Sequence, residues 1–199
     1  MSFNENAMPR AYTLKRRAEQ QAETRQRIVE AAVALHRSVG PAQTSYSMVA
    51  ERAGVQRHTL YAHFPDERSL LMACSGLTLQ QDPLPDESAW QSIARRPDRL
   101  RTGLAAVYAW YGRNHDLAAC VLRDAEHHAL TREIVSLRMA PRFAAYHAVL
   151  GEGLAADQQA VLHVALGFHC WHALVQESGL RLAAAVRLMV RAIEAAGRP

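Results

Sequence analysis

The chain has 199 residues, 49% of them hydrophobic and 21% charged, a balance that describes a soluble globular protein able to bury a core. Its 23 basic and 19 acidic side chains leave a net charge of +4, which permits a polyanionic partner without requiring one. Three scattered cysteines, Cys74, Cys120 and Cys170, fit neither a disulfide framework nor a thiolate metal cluster, and no apolar run is long enough and free enough of charge to span a membrane.

The opening residues, MSFNENAMPRAYTLKRR, lack the apolar stretch of a secretory signal, so a reducing cytoplasm is the expected location. Residues 1–23, with Arg10, Lys15, Arg16 and Arg17 and little to pack, read as a mobile basic arm of the kind that enters a DNA minor groove. Over residues 24–38, Ile28, Ala31, Ala32 and Leu35 share one stripe, the pattern of a helix covering a small core. Punctuation at Gly40-Pro41, Gly54 and Pro65-Asp66 sets out three short helices before residue 65. Longer segments follow, broken at residues 82–86, Pro97-Asp98, His115-Asp116, 129–131 and Gly151-Glu152-Gly153. About nine helices and no strand are expected, an all-α fold.

Residues 44–64, TSYSMVAERAGVQRHTLYAHF, carry the most information. Ser45 suits an N-cap, Tyr46, Val49 and Ala53 share a face, and Gly54 can turn the chain at positive φ. In the next helix Leu60 and Phe64 face inward, so Arg57 and Tyr61 must face outward, flanked by His58 and His63. Small Ala50 lets the two helices cross closely, which is helix-turn-helix geometry. The second helix then stands clear of its support and fits a major groove. There Arg57 suits guanine, Gln56 suits adenine, and Thr59, Tyr61 and His63 suit phosphate oxygens or a thymine methyl. Ser45, Ser47, His58, Lys15 and Arg68 complete the candidate DNA contacts.

Residues 24–72, with TRQRIVEAAVALHRSVG, VAERAGV and TLYAHFPDERSLL in that order, resemble the TetR-type transcriptional repressors. The resemblance implies a supporting helix at 44–53, a recognition helix at 55–63 and a helix at 66–80 connecting to a regulatory domain. It implies a homodimer whose C-terminal ligand pocket controls binding to a double-stranded operator. The domain division is then an arm at 1–23, a helix-turn-helix domain at 24–65, the connecting helix, and a ligand-binding and dimerisation domain at 81–199. Two positions depart from the family pattern. Gln56 stands where serine is usual, and Glu67 stands where lysine usually anchors a phosphate, leaving Arg68 as its substitute.

Residues 99–150 concentrate aromatic side chains, and the resemblance places the effector there. Tyr108, Tyr111 and His115 trace one stripe and Arg123 and His127 another; with Tyr146 and His147 they form the expected ligand set, for a small apolar or aromatic effector bearing a hydrogen-bonding group. Pro141 is expected to open a gap between Met139 and Phe143. The last two helices, about 157–176 and 179–196, present Val161, Val164, Phe168, Trp171 and Val175, and Val186, Met189 and Ile193, as the dimer interface. Asp124 and His128 stand four apart, yet no HExxH or CxxC pair supports a metal; no cofactor is expected. Without a GxSxG, a P-loop or a dinucleotide fingerprint, the chain reads as a regulator rather than an enzyme. The alternatives are a small-molecule or metal-dependent enzyme retaining a helix-turn-helix, and a ligand-independent DNA-binding protein.

Overall fold

A computed structural model describes residues 10–197, which form eleven α-helices with short irregular links and no strand among the described residues. The first helix, α1 (Arg10–Ser38), is far longer than the sequence pattern suggested. Residues 10–23, expected as a mobile arm, are its first turns, and Lys15, Arg16 and Arg17 ride on them exposed. No glycine or proline interrupts residues 10–38, and Ala, Gln, Glu, Arg and Leu all favour helix, so the helix of 24–38 has no reason to stop at its own N-terminus. Residues 1–9 of the expected arm lie outside the described residues.

A 3-10 turn (Pro41–Gln43) leads to α2 (Tyr46–Ala53), α3 (Arg57–His63) and α4 (Glu67–Gln81). Their starts are chemical. The Ser45 hydroxyl accepts the Met48 N–H at 3.3 Å, and the Asp66 carboxylate accepts the Ser69 N–H at 2.7 Å. Gly54 ends α2 at φ 63°, a left-handed cap that any Cβ would strain. Ile28, Ala32, Val49, Leu60, Phe64 and Leu70 close one core among these four helices.

The second core belongs to α5 (Ser88–Gln91), α6 (Arg96–Arg113), α7 (His115–Ala125), α8 (Ala129–Leu150), α9 (Ala156–Leu166), α10 (Phe168–Trp171, continuing as a π-helical turn over His172–Glu177) and α11 (Leu182–Ala195). Pro141 does not break α8, which runs through it. The single helix expected at about 157–176 is instead interrupted at Gly167, whose extended conformation orphans the last carbonyls of α9. Two tyrosines of α6 satisfy them: the Tyr108 hydroxyl donates to the Ala165 carbonyl at 2.9 Å, and the Tyr111 hydroxyl to the Leu166 carbonyl at 2.8 Å. Burial pushes both phenols well above their ordinary range, so they remain donors.

The two cores meet where α7 grips the C-terminal end of α1. Cys120 Sγ donates to the Arg37 carbonyl at 3.5 Å and the Arg123 guanidinium to the Val39 carbonyl at 2.8 Å, taking up oxygens that a helix end leaves unpaired. The buried Asp124 carboxylate accepts the Ala42 N–H at 2.9 Å and pairs with Arg123 at 2.8 Å. Gly40, at φ 98°, is what lets this carboxylate approach the backbone. Arg68 and Glu67 add exposed contacts from α4 to α8, Arg68 to Glu133 at 2.8 Å and Glu67 to His128 at 3.5 Å.

Candidate functional site

Among the described residues nothing covers the outer face of α3. Gln56, Arg57, His58 and Tyr61 are exposed, Thr59 and His63 half-buried, while Leu60 and Phe64 are in the core. Tyr61, 46% exposed, rests on the Tyr46 ring at 4.9 Å between centroids, and the Tyr46 hydroxyl donates to the Phe64 carbonyl at 3.2 Å. An aromatic prop from α2 thus sets the direction of an outward side chain on α3. Ser45 and Ser47 are exposed at the start of α2, the first spent on its cap. Arg68 departs from expectation: both its Nε and a terminal nitrogen donate to Glu133, so it is turned to α8 rather than left free for phosphate. Gln56 occupies the N-cap of α3 without a side-chain hydrogen bond to it, because its amide stands one methylene further out than a serine hydroxyl.

A cavity of about 530 Å³ opens between the two cores. Val33, His36 and Pro41 wall it from α1 and its turn; Leu71, Cys74 and Thr78 come from α4. Trp110 and Tyr111 of α6, Val121 and Leu122 of α7, and Ile134, Met139 and Phe143 of α8 complete an almost wholly apolar lining. Burial lowers the His36 imidazole to about 4, with Asp124 opposing, and pushes the Cys74 thiol up to about 12, so both line the cavity uncharged at neutral pH.

Of the expected ligand set, Tyr111 lines this cavity and the other six do not. Tyr108 is taken by the α9 carbonyl. Tyr146 is buried against Trp90, its hydroxyl donating to the Pro85 carbonyl at 2.7 Å. His115 stacks on His172 at 5.5 Å and meets Asp116 at 2.9 Å. His147 stacks on His163 at 5.3 Å, and burial with that neighbour lowers its pKa. Arg123 serves the α1 end, and His127 is exposed in the turn after α7. The aromatic stripes mostly fill the core, and only part of them, Trp110, Tyr111 and Phe143 among it, reaches the cavity.

The residues missed, among them His36, Leu71, Val121, Ile134 and Arg138, come mostly from aliphatic stripes. One signal was available: Leu117, Val121 and Leu122 with Ala118 and Ala125 make α7 too apolar for a helix also bearing Asp116, Arg123 and Asp124. Among the described residues no group of three or more His, Cys, Asp or Glu side chains is placed to hold a metal ion. Asp124 and His128, weighed as a metal pair, are instead hydrogen-bonded to Ala42 with Arg123 and to Thr131 respectively.

The expected dimer set also divides. Phe168, Trp171, Val186 and Ile193 are buried in the protomer's own core, and Val161, Val175 and Met189 pack partly against it. The break at Gly167 rotates α10 relative to α9, which turns Phe168 and Trp171 inward onto Tyr111. Val164, 60% exposed, remains on the surface of α9 beside exposed Ala160 and His163.

A four-helix unit with exposed residues on α3, joined through α4 to a helical unit with an apolar cavity at the junction, has the architecture of a helix-turn-helix DNA-binding unit carried on a helical domain. Residues 28–74 match the family model for bacterial regulatory proteins of the tetR family. No curated protein matches the chain. Among solved structures it is similar to the transcriptional regulator FadR from Bacillus subtilis in complex with stearoyl-CoA, at 17% identity and TM-score 0.62 over 84% of this chain and 96% of that one. A TetR-like regulator from Rhodococcus sp. RHA1 gives 19% identity and TM-score 0.62 over 88% and 97%. The fatty acid degradation regulator FadR from Bacillus halodurans gives 17% and 0.62 over 87% and 95%. The resemblance read from the sequence is thus met in the structure: residues 28–74 are a tetR-type helix-turn-helix segment, and the chain has the fold of TetR-family DNA-binding transcriptional regulators.

Proposed function

We propose that the protein is a cytoplasmic, homodimeric, sequence-specific DNA-binding repressor whose operator binding is relieved by a small, largely apolar effector. The observation that carries this reading is the composition of the cavity wall. Helices α1 and α4, which hold the recognition helix, and α6, α7 and α8 close on one apolar space, so a molecule filling it acts on the mount of α3 directly. The stearoyl-CoA in the Bacillus subtilis structure supports an effector with an apolar chain. No described helix is long and apolar enough to cross a membrane.

In this reading residues 24–65 bind DNA, 66–80 connect, and 81–199 bind effector and the second copy. Arg57 and Gln56 read base edges; His58, Thr59, Tyr61, His63, Ser47 and Lys15 hold the backbone. The second copy packs on the α9 and α11 surface around Val164, placing two recognition helices roughly 34–36 Å apart or somewhat more for successive major grooves. Effector binding favours an arrangement in which that spacing no longer fits.

The test is the double substitution Arg57→Ala with Tyr61→Ala. Selection from a random duplex pool should yield an operator for the wild type, and the variant should lose specific binding to it while keeping its fold and its cavity. An operator bound equally by both proteins would overturn the assignment of α3. Replacing Lys15 by Gln should flatten the logarithmic salt dependence by roughly one unit if it neutralises a phosphate.

A further inference from the structure

In an almost wholly apolar cavity, the few polar groups decide what else a bound molecule must carry. Most of those in the wall are already committed. The Tyr111 hydroxyl donates to Leu166, the Asn114 amide to Asp82 and to the Trp110 carbonyl, and the Thr78 hydroxyl to the Cys74 carbonyl. Arg138 of α8 differs. Its Nε donates to the Ser75 hydroxyl and a terminal nitrogen to the Met72 carbonyl, both at 3.1 Å and both on α4. A guanidinium has five N–H donors, so most of its capacity is unspent. Among the described residues no carboxylate lies within ion-pair distance of it. A half-buried cation held by two neutral oxygens beside an apolar void is poorly compensated, and a carboxylate is the group that compensates it best, through paired short hydrogen bonds.

We propose that the effector is a monoanionic amphipath: its carboxylate pairs with Arg138 and its apolar body fills the cavity between α7 and α8. The inference rests on the effector reading above and adds the chemical class of the ligand. Glu126, which lines the cavity at the end of α7, repels an anion there and favours the Arg138 end for the head group. The pairing also bears on control. The N–H groups offered to the carboxylate belong to the guanidinium that ties α8 to α4, the helix leading out of the DNA-binding unit. A bound head group therefore shares one guanidinium with Met72 and Ser75, and any shift it imposes on Arg138 is felt by the α8–α4 tie.

The experiment compares two probes of equal chain length, decanoate and decan-1-ol, by calorimetric titration of the full chain at neutral pH. The wild type should bind decanoate at least about tenfold more tightly, the range of a charge-assisted hydrogen bond. Arg138→Gln, whose amide nitrogen stands where the arginine Nε does and so keeps an N–H for the Ser75 hydroxyl, should bind the two probes alike, and Arg138→Lys should retain part of the preference. Equal binding of both probes by the wild type, binding of neither, or an undiminished preference in Arg138→Gln overturns the inference. Gel-shift assays with the same probes separate it from the reading on which it rests. Release of operator by both probes alike defeats the carboxylate and leaves an effector-responsive regulator; decanoate bound through Arg138 without any effect on DNA affinity defeats the regulator and leaves the site.

Discussion

His36 should make the junction between the two cores sensitive to acid. It lies in the last turn of α1, 5% exposed, and burial holds its imidazole near 4 against an ordinary 6.5, the Asp124 carboxylate opposing this only in part. An unfolded chain takes up the proton near pH 6.5, the folded one not until about pH 4. Between those limits the unfolded state binds more protons, so the stability present above 6.5 is lost as pH falls towards 4. At about 1.4 kcal/mol per unit the full loss is about 3 kcal/mol, of which about 2 kcal/mol has gone by about pH 5. With the ring nearly out of solvent, no large reduction for screening applies. Replacing His36 by Leu removes the titration and little volume. Urea denaturation at about pH 7 and about pH 5 should therefore show the wild type losing about 2 kcal/mol more than His36→Leu. The Asp82 carboxylate, held low chiefly by its hydrogen bond from Arg113, also loses stability in acid, but it does so in both proteins and cancels in the comparison. Equal losses in the two proteins would mean that the imidazole is solvated, and the account of this junction would be wrong.

Two further substitutions test the frame around the site. Gly40→Ala drives a Cβ into the Asp124 carboxylate at a φ of 98° and ψ of 158°, a region suited to glycine, so it should destabilise the chain by more than about 3 kcal/mol; a change below about 1 kcal/mol in a denaturant titration would show that the α1–α7 contact yields freely. Gln56→Ser supplies the missing cap of α3 at a residue already in the extended conformation a cap requires, and should stabilise the protein by about 1 kcal/mol, visible as a raised denaturation midpoint.

The contact of α7 with α1, the Arg68–Glu133 ion pair and the contact of Glu67 with His128 seat the four-helix unit on α7 and α8. The exposed pairs contribute little each, typically under about 1 kcal/mol. The buried Asp124 matters more, because its carboxylate depends on the Ala42 N–H and the Arg123 guanidinium for compensation. The cavity lies alongside this seat, and His36 belongs to both.

Much of the helix-turn-helix is legible along the chain because its instructions are local. A serine hydroxyl reaches an N–H three residues on, a glycine accepts positive φ at its own position, and a four-residue interval sorts Leu60 and Phe64 from Arg57 and Tyr61. The long reach of α1 is local too: the polar Gln, Glu and Arg of its first turns suit a solvated arm but favour helix once one is begun at Ile28. The cavity and the buried faces are of another kind. Tyr108, Phe168 and Trp171 sit on apolar stripes that suit a ligand wall, a dimer face or a core equally well, and the choice depends on which stripe another helix covers. The break at Gly167 made that choice by turning α10 and freeing carbonyls for Tyr108 and Tyr111. Arg138 and His36 lie far apart along the chain and carry no shared spacing; packing α8 and α1 around the same void is what gives them a common role.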